Sequence, residues 1–198
     1  MGPNQIHPFN RRSFYIPDGR KDIGGGIELW RGIFQSVRPT FDRLIVNIDL
    51  STGMMYKEGP LSNLCIDFFG REPNTSPNAI LVPGRTLRDI ERIRLQKFLS
   101  GVRVTVSTTG DKERVVRGLS ERGADTLVFE TRSGARMTVA NYFQSLNIPL
   151  RYPSVICVLV CLPIKSDLST YLFDFIAGGT VCYGTFGALH GPQGPIHA

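Results

Sequence analysis

The 198-residue chain carries 23 Lys and Arg against 17 Asp and Glu, a formal net charge of +6, with 41% hydrophobic and 20% charged residues. That much apolar material excludes a disordered polyelectrolyte and suffices for one good core or two small ones. Its longest apolar run, residues 155–162, is far short of the ~20 residues that span a bilayer, so no membrane partner is expected. The charge is uneven: residues 1–160 hold 22 bases against 15 acids, whereas 161–198 hold one base against two acids. A polyanion partner is therefore expected for the first part alone.

Residues 1–28 contain Pro3, Pro8, Pro17 and three consecutive glycines, with a brief strand-like run at 13–16. They read as a linker or the end of another unit. The opening MGPNQIHPFNRRSF has no apolar leader segment, and a soluble cytoplasmic protein, with a nuclear location as the alternative, is expected. Residues 29–56 predict two antiparallel strands turning at Arg38-Pro39-Thr40. In the second, Leu44, Val46, Ile48 and Leu50 alternate with Ile45, Asn47 and Asp49, the two-residue period of a strand with one buried face.

Residues 61–69 predict a short helix and 71–84 a proline-rich loop. The next stretch, TLRDIERIRLQKFLSG, reads as a helix capped by Thr86, with Leu87, Ile90, Ile93 and Phe98 on its apolar face and Gly101 as its stop. From Val102 the period switches to two. The strands ERVVRGL, TLVFE and RMTVA follow, separated by turn residues at 109–111, 123–125 and 133–134, a rhythm that argues a small barrel or curled sheet. Residues 137–160 then give a strand end, a compact turn at 141–146 carrying Tyr142 and Phe143, and a buried strand at 154–160.

Two stretches carry a family resemblance. The run W.G.FQSVRP......NIDLS...Y, formed by Trp30, Gly32, residues 34–39, residues 47–51 and Tyr56, resembles the first linker of Argonaute proteins. The run TVANYF...NI.L.YP at 138–153 resembles the end of a PAZ domain, the module that holds the 3′ end of a small RNA. Linker followed by PAZ is the Argonaute order. The resemblance covers residues 29–160 and divides the chain into an N-terminal remnant or linker at 1–28, linker 1 at 29–58, PAZ at 59–160 and a divergent glycine-rich tail at 161–198. It implies an α+β, mainly β fold: linker strands, then an OB-like barrel with a helical and hairpin insertion, whose closing strands the tail does not supply in recognisable form.

A pocket for a terminal nucleotide needs cations for the last phosphates and rings for sugar and base. Carried over residue by residue, the resemblance places the pocket arginine on Arg114, the first tyrosine of the YF segment on Tyr142 and the hairpin ring on Phe129. The family's histidine falls near Thr108, its next tyrosine on Val116 and its last on Leu146, none of which supplies the same donor. Lys112, Arg103 and Arg117 add backbone contacts in this reading. Residues 85–117 hold nine bases against four acids, and phosphate binding is collective. The bland alternatives are a tyrosine at the edge of a core and strand arginines paired to carboxylates.

No phosphate loop, HExxH or GxSxG occurs, and no histidine lies between His7 and His190. Cys65, Cys157, Cys161 and Cys182 show no paired spacing. The expectation is a non-enzyme without metal or cofactor, whose partners are single-stranded small RNA and other Argonaute-pathway proteins. Two alternatives remain: a truncated structural or protein-interaction remnant with a degraded RNA pocket, and a nuclease built on Asp49, Asp67 and Asp89. In the family, cleavage belongs to the PIWI domain and 5′ phosphate binding to the MID domain, which this sequence does not match.

Overall fold

The computed structural model describes residues 6–72, 74–106, 112–131 and 134–161. They fall into two units that divide after Lys57. The expectations for Thr108 and for 162–198 lie outside the described residues.

The first unit is one antiparallel sheet in the order β1 (His7–Pro8), β2 (Ser13–Gly24), β3 (Ile27–Pro39), β4 (Leu44–Tyr56). Residues 13–24 thus form a strand where the sequence shows a periodic run over 13–16 alone. Pro17 is tolerated because the β2–β3 register breaks between Ile16 and Lys21, so its missing N–H interrupts no regular ladder. Trp30 is the packing residue its rarity suggests: it is buried, with its indole N–H donating to the Glu28 carboxylate at 3.2 Å and the His7 ring edge-on at 5.6 Å. Tyr15 lies over Gly53, where a Cβ would come within 2.8 Å of its ring. Glycine there lets the phenol lie flat on the sheet.

The predicted buried face of β4 is not buried. Leu44, Val46, Ile48 and Leu50 are 70%, 58%, 60% and 93% exposed. Strand β2 pairs with β3 only as far as Phe34, while β3 and β4 pair on to Pro39 and Leu44. The hairpin therefore projects as a two-stranded ribbon beyond the part of the sheet that contains Trp30.

The second unit begins with α1 (Leu61–Phe68), as predicted, and a loop containing one 3-10 turn at Pro77–Ala79. Helix α2 (Asp89–Leu99) is present, but its cap and buried face differ from expectation. Thr86 instead accepts a hydrogen bond from the Val82 N–H through Oγ1 at 3.1 Å, closing the preceding turn. The helix starts after Arg88, whose N–H donates to the Glu91 carboxylate at 3.0 Å. Its inward stripe is Arg92, Leu95, Gln96 and Leu99; of the predicted face Leu87, just before the helix, is buried and Phe98 packs against Phe68 at 4.6 Å, whereas Ile90 and Ile93 are exposed.

Gln96 is polar yet faces inward because its Oε1 accepts the Leu119 N–H at 3.1 Å, serving a strand at a point that lacks a neighbouring strand on that side. Gly101, the predicted stop, has φ +85 and donates its N–H to Val116 O at 2.9 Å.

Strands β5 (Arg103–Val106), β6 (Lys112–Gly123) and β9 (Ile156–Cys161) form a three-stranded antiparallel sheet in the order β5-β6-β9. A separate hairpin, β7 (Val128–Glu130) and β8 (Arg136–Thr138), leads into α3 (Val139–Ser145). The mainly β class with a hairpin insertion is as expected. Among the described residues the strands do not close into a barrel. Strand β6 is bent by register shifts at Val116/Gly118 and Leu119/Gly123, the devices that curl a sheet.

Candidate nucleic-acid interface

The site is built on the hairpin and helix at residues 128–150. Helix α3 starts because Thr138 Oγ1 accepts the Asn141 N–H at 3.2 Å, and this start lies two residues before the predicted turn. It ends in a Schellman motif: Ile148 N–H donates to Phe143 O and Asn147 N–H to Gln144 O, both at 3.0 Å, with Asn147 at φ 58. Pro149 follows and cannot continue the helix. Seven residues between two strong caps fix which side chains face inward.

Val139 and Phe143, four apart, are buried with Ala124 and Cys157, and Leu127, Phe129, Tyr142 and Leu150 pack around them. The Phe129 ring, set across the hairpin from Met137, meets Tyr142 edge to face at 5.4 Å and 87°. Tyr142 meets Phe143 likewise at 5.8 Å and 88°. Two perpendicular neighbours fix the plane of the phenol. The ring is half-buried, and Val128, Leu146 and Ile148, exposed apolar residues of the same segment, border this cluster in sequence.

The structure therefore brings Phe129 and Tyr142 together. Of the cations, Arg114 is only 8% exposed and stands opposite Val104 in the β5–β6 ladder. Arg103 pairs with Val115, one residue on, and so occupies the other face of that ladder. It is exposed, as is Arg117 at the β6 bulge. Lys112 pairs with Val106 through its backbone; its side chain lies outside what is described. Val116 is fully buried, which makes its position part of the core, and Leu146 is the exposed C-cap of α3.

Two features escaped the sequence reading. Arg136 stands across the hairpin from Glu130, and Arg151 lies over the Tyr152 ring at 5.3 Å. The adjacent RY pair was the available signal for the second. The first needs the hairpin register.

Rings that can stack and cations that can meet phosphate are binding chemistry. Among the described residues no three potential metal ligands cluster. Burial pushes the thiols of Cys65 and Cys157 up to about 12, so both are protonated at neutral pH and are not nucleophiles.

A family model of the Argonaute linker 1 domain matches residues 10–57, and one of the PAZ domain matches residues 73–172. The linker match begins before residue 29 and the PAZ match continues past 160, the limits that the two sequence motifs suggest. Protein argonaute 1D of Oryza sativa subsp. japonica is 37% identical over 142 residues, 69% of this chain and 13% of that protein. The chain thus spans a small part of the curated relatives it matches. A crystal structure of Kluyveromyces polysporus Argonaute with a guide RNA shares the fold, at a TM-score of 0.54 and 15% identity over 97% of this chain and 22% of that one. A Drosophila Ago-PAZ domain, in complex with 3′-end 2′-O-methylated RNA, is 25% identical over 65% of this chain and 99% of that chain, with a TM-score of 0.45.

Proposed function

Because the chain belongs to the Argonaute family, spanning its linker 1 and PAZ domains, we propose that it anchors the 3′ end of a single-stranded small RNA in RNA-mediated gene silencing. The matched domains bind nucleic acid and do not cleave it; cleavage belongs to PIWI, which the matches do not cover. The observation that carries the reading is the Phe129–Tyr142 edge-to-face pair, held between a hairpin and a doubly capped helix. A ring fixed in this way stacks on a terminal base or ribose with little further loss of side-chain freedom. Arg114, Arg103, Arg117 and Lys112 supply the positive field in this reading, and Arg114 differs from Arg103 and Arg117 in being largely buried.

Titration of a labelled short RNA with the full chain, at several salt concentrations, tests this. Affinity falls when the 3′ hydroxyl is blocked by a bulky group, and the logarithm of affinity falls with the logarithm of salt. Equal affinity for free and blocked ends overturns the pocket.

The burial of Val116, where a phosphate-binding side chain is absent, favours a second reading: a structural or interaction remnant that has lost RNA affinity. Binding no tighter than to a generic polyanion selects it. Other proteins of the silencing pathway are the partners in either reading, and capture on the immobilised full chain tests them. We place the protein in the cytoplasm, where buried free thiols such as Cys65 and Cys157 stay reduced, with a nuclear pool as the alternative. Cell fractionation decides between them.

A further inference from the structure

The β6–β9 ladder is interrupted at the ring cluster. Between the pairs Leu119–Val158 and Gly123–Ile156, β6 runs through Ser120, Glu121 and Arg122 while β9 has Cys157 alone. Glu121 and Arg122 are exposed, whereas Ser120 is buried. Its hydroxyl donates to Arg122 O at 2.7 Å and accepts the Cys157 N–H at 2.9 Å. One side chain thus closes the bulge on its own strand and ties it to the facing strand. Hydrogen bonding to the same hydroxyl also offsets part of the rise that burial causes in the pKa of the Cys157 thiol.

Both sides of this bulge lead to Tyr142. On the β9 side, Cys157 is buried with Ala124, Val139 and Phe143, against which Phe129 and Tyr142 pack. On the β6 side, the chain leaves the bulge at Gly123 and at once receives the start of α3: Ala124 O accepts the Ala140 N–H at 2.9 Å, and Leu127 O the Val139 N–H at 3.0 Å. N–H groups in the first turn of a helix have no partner within it, so acceptors from outside decide where the helix docks. We propose that Ser120 is a positioning residue of the terminal-nucleotide site: its hydroxyl fixes the bulge on which both the floor of the ring cluster and the acceptors for α3 depend, and so holds Tyr142 against Phe129. This rests on the reading of those two rings as the RNA contact. Ser120 is buried and acts through Cys157 and Ala124, not by touching the nucleotide. Without the hydroxyl, the Cys157 N–H and Arg122 C=O lose a shared partner in a buried place, and the bulge relaxes.

Two measurements on the full chain test this. Without RNA, Ser120→Ala speeds amide hydrogen exchange at Cys157 and Ala140 and moves the ring-proton resonances of Tyr142 toward those of an unpacked tyrosine. Ser120→Thr, which keeps the hydroxyl, stays near wild type. With RNA, Ser120→Ala lowers the preference for a strand with a free 3′ hydroxyl over a blocked one by about tenfold. Affinity for the blocked strand is unchanged, and Ser120→Thr again restores the preference. Ile66→Val, a buried truncation in α1 outside the ring cluster, keeps it. Should Ser120→Ala cost the fold, Ser120→Cys, with a weaker acceptor, shows the same pattern at smaller amplitude. Unchanged Tyr142 resonances in Ser120→Ala, an unchanged preference despite altered resonances, or an equal loss in Ser120→Thr or Ile66→Val overturns the proposal. A wild-type chain that does not distinguish free from blocked ends overturns the RNA reading instead. The exchange and resonance measurements then still decide whether Ser120 holds the rings.

Discussion

The ribbon at residues 36–47 and the hairpin at residues 128–138 are both two-stranded antiparallel elements with alternating apolar side chains, yet they end in opposite environments. The shorter one carries Phe129 into a cluster with Tyr142, Phe143 and Leu127, because α3 follows it directly and folds back against it. Among the described residues the first unit contains no helix that follows the longer one. Beyond Phe34 it leaves β2 behind, and Leu44, Val46 and Ile48 are exposed there, as is Leu50 opposite Ile33 where β2 still pairs. Alternation specifies which residues share a face. What covers that face depends on the neighbouring element and on how far it extends, and it is this that gives one hairpin a ring cluster and leaves the apolar row of the other exposed.

The sharpest way to break this contrast is a pair of truncations in the first unit. Trp30→Ala, at the covered end of the sheet, costs about 3–5 kcal/mol. Leu50→Ser, on the open face, changes stability by less than about 0.5 kcal/mol. Urea denaturation followed by circular dichroism compares them, and equal losses would mean that the open face is buried in solution.

In the second unit Tyr142→Ala weakens RNA binding by about 1–3 kcal/mol, the range of one lost stacking partner. Tyr142→Phe keeps most of the affinity, since the ring and not the hydroxyl does the stacking. Fluorescence anisotropy with a 3′-labelled and a 5′-labelled strand reads both variants. A loss for Tyr142→Phe as large as that for Tyr142→Ala would replace stacking with hydrogen bonding as the source of affinity.

A smaller effect concerns the C-terminal cap that positions this ring. Asn147→Val forces a β-branched residue to φ 58 and costs about 1–2 kcal/mol. Asn147→Gly is tolerated within a few tenths of a kcal/mol because glycine adopts that backbone freely. Melting temperatures of the two variants bracket the cap's contribution. The least perturbing probe is thiol labelling at neutral pH: Cys65 and Cys157 react only after denaturation, because burial keeps them protonated and out of reach. Labelling of either in the native protein would show the second unit to be looser than described.

The linker hairpin, α1, α2 and the strand rhythm after Val102 were legible because each rests on short-range signals: alternation, a proline turn, a glycine stop. The cap of α2 was misplaced by two residues because Thr86 hydrogen-bonds an earlier turn, a choice that depends on where Val82 sits. Of its predicted apolar face, Ile90 and Ile93 are exposed for a related reason. Leu95 and Leu99 are buried beside Gln96, which reaches the Leu119 N–H twenty-three residues away in sequence. At the candidate site, Tyr142 and Phe129 were read from the family pattern, whereas their ring geometry could not be.

By itself the sequence determined the residue types available for stacking and charge, the alternation of the strands and the two domains to which they belong, since these are properties of nearest neighbours along the chain and of motif order. Only the tertiary structure decided that Phe129 would meet Tyr142, that Arg114 would be buried while Arg103 stayed exposed, and that the apolar row of β4 would face solvent. Burial is set by whichever distant segment reaches a face, and the local pattern is the same whether that segment arrives or not.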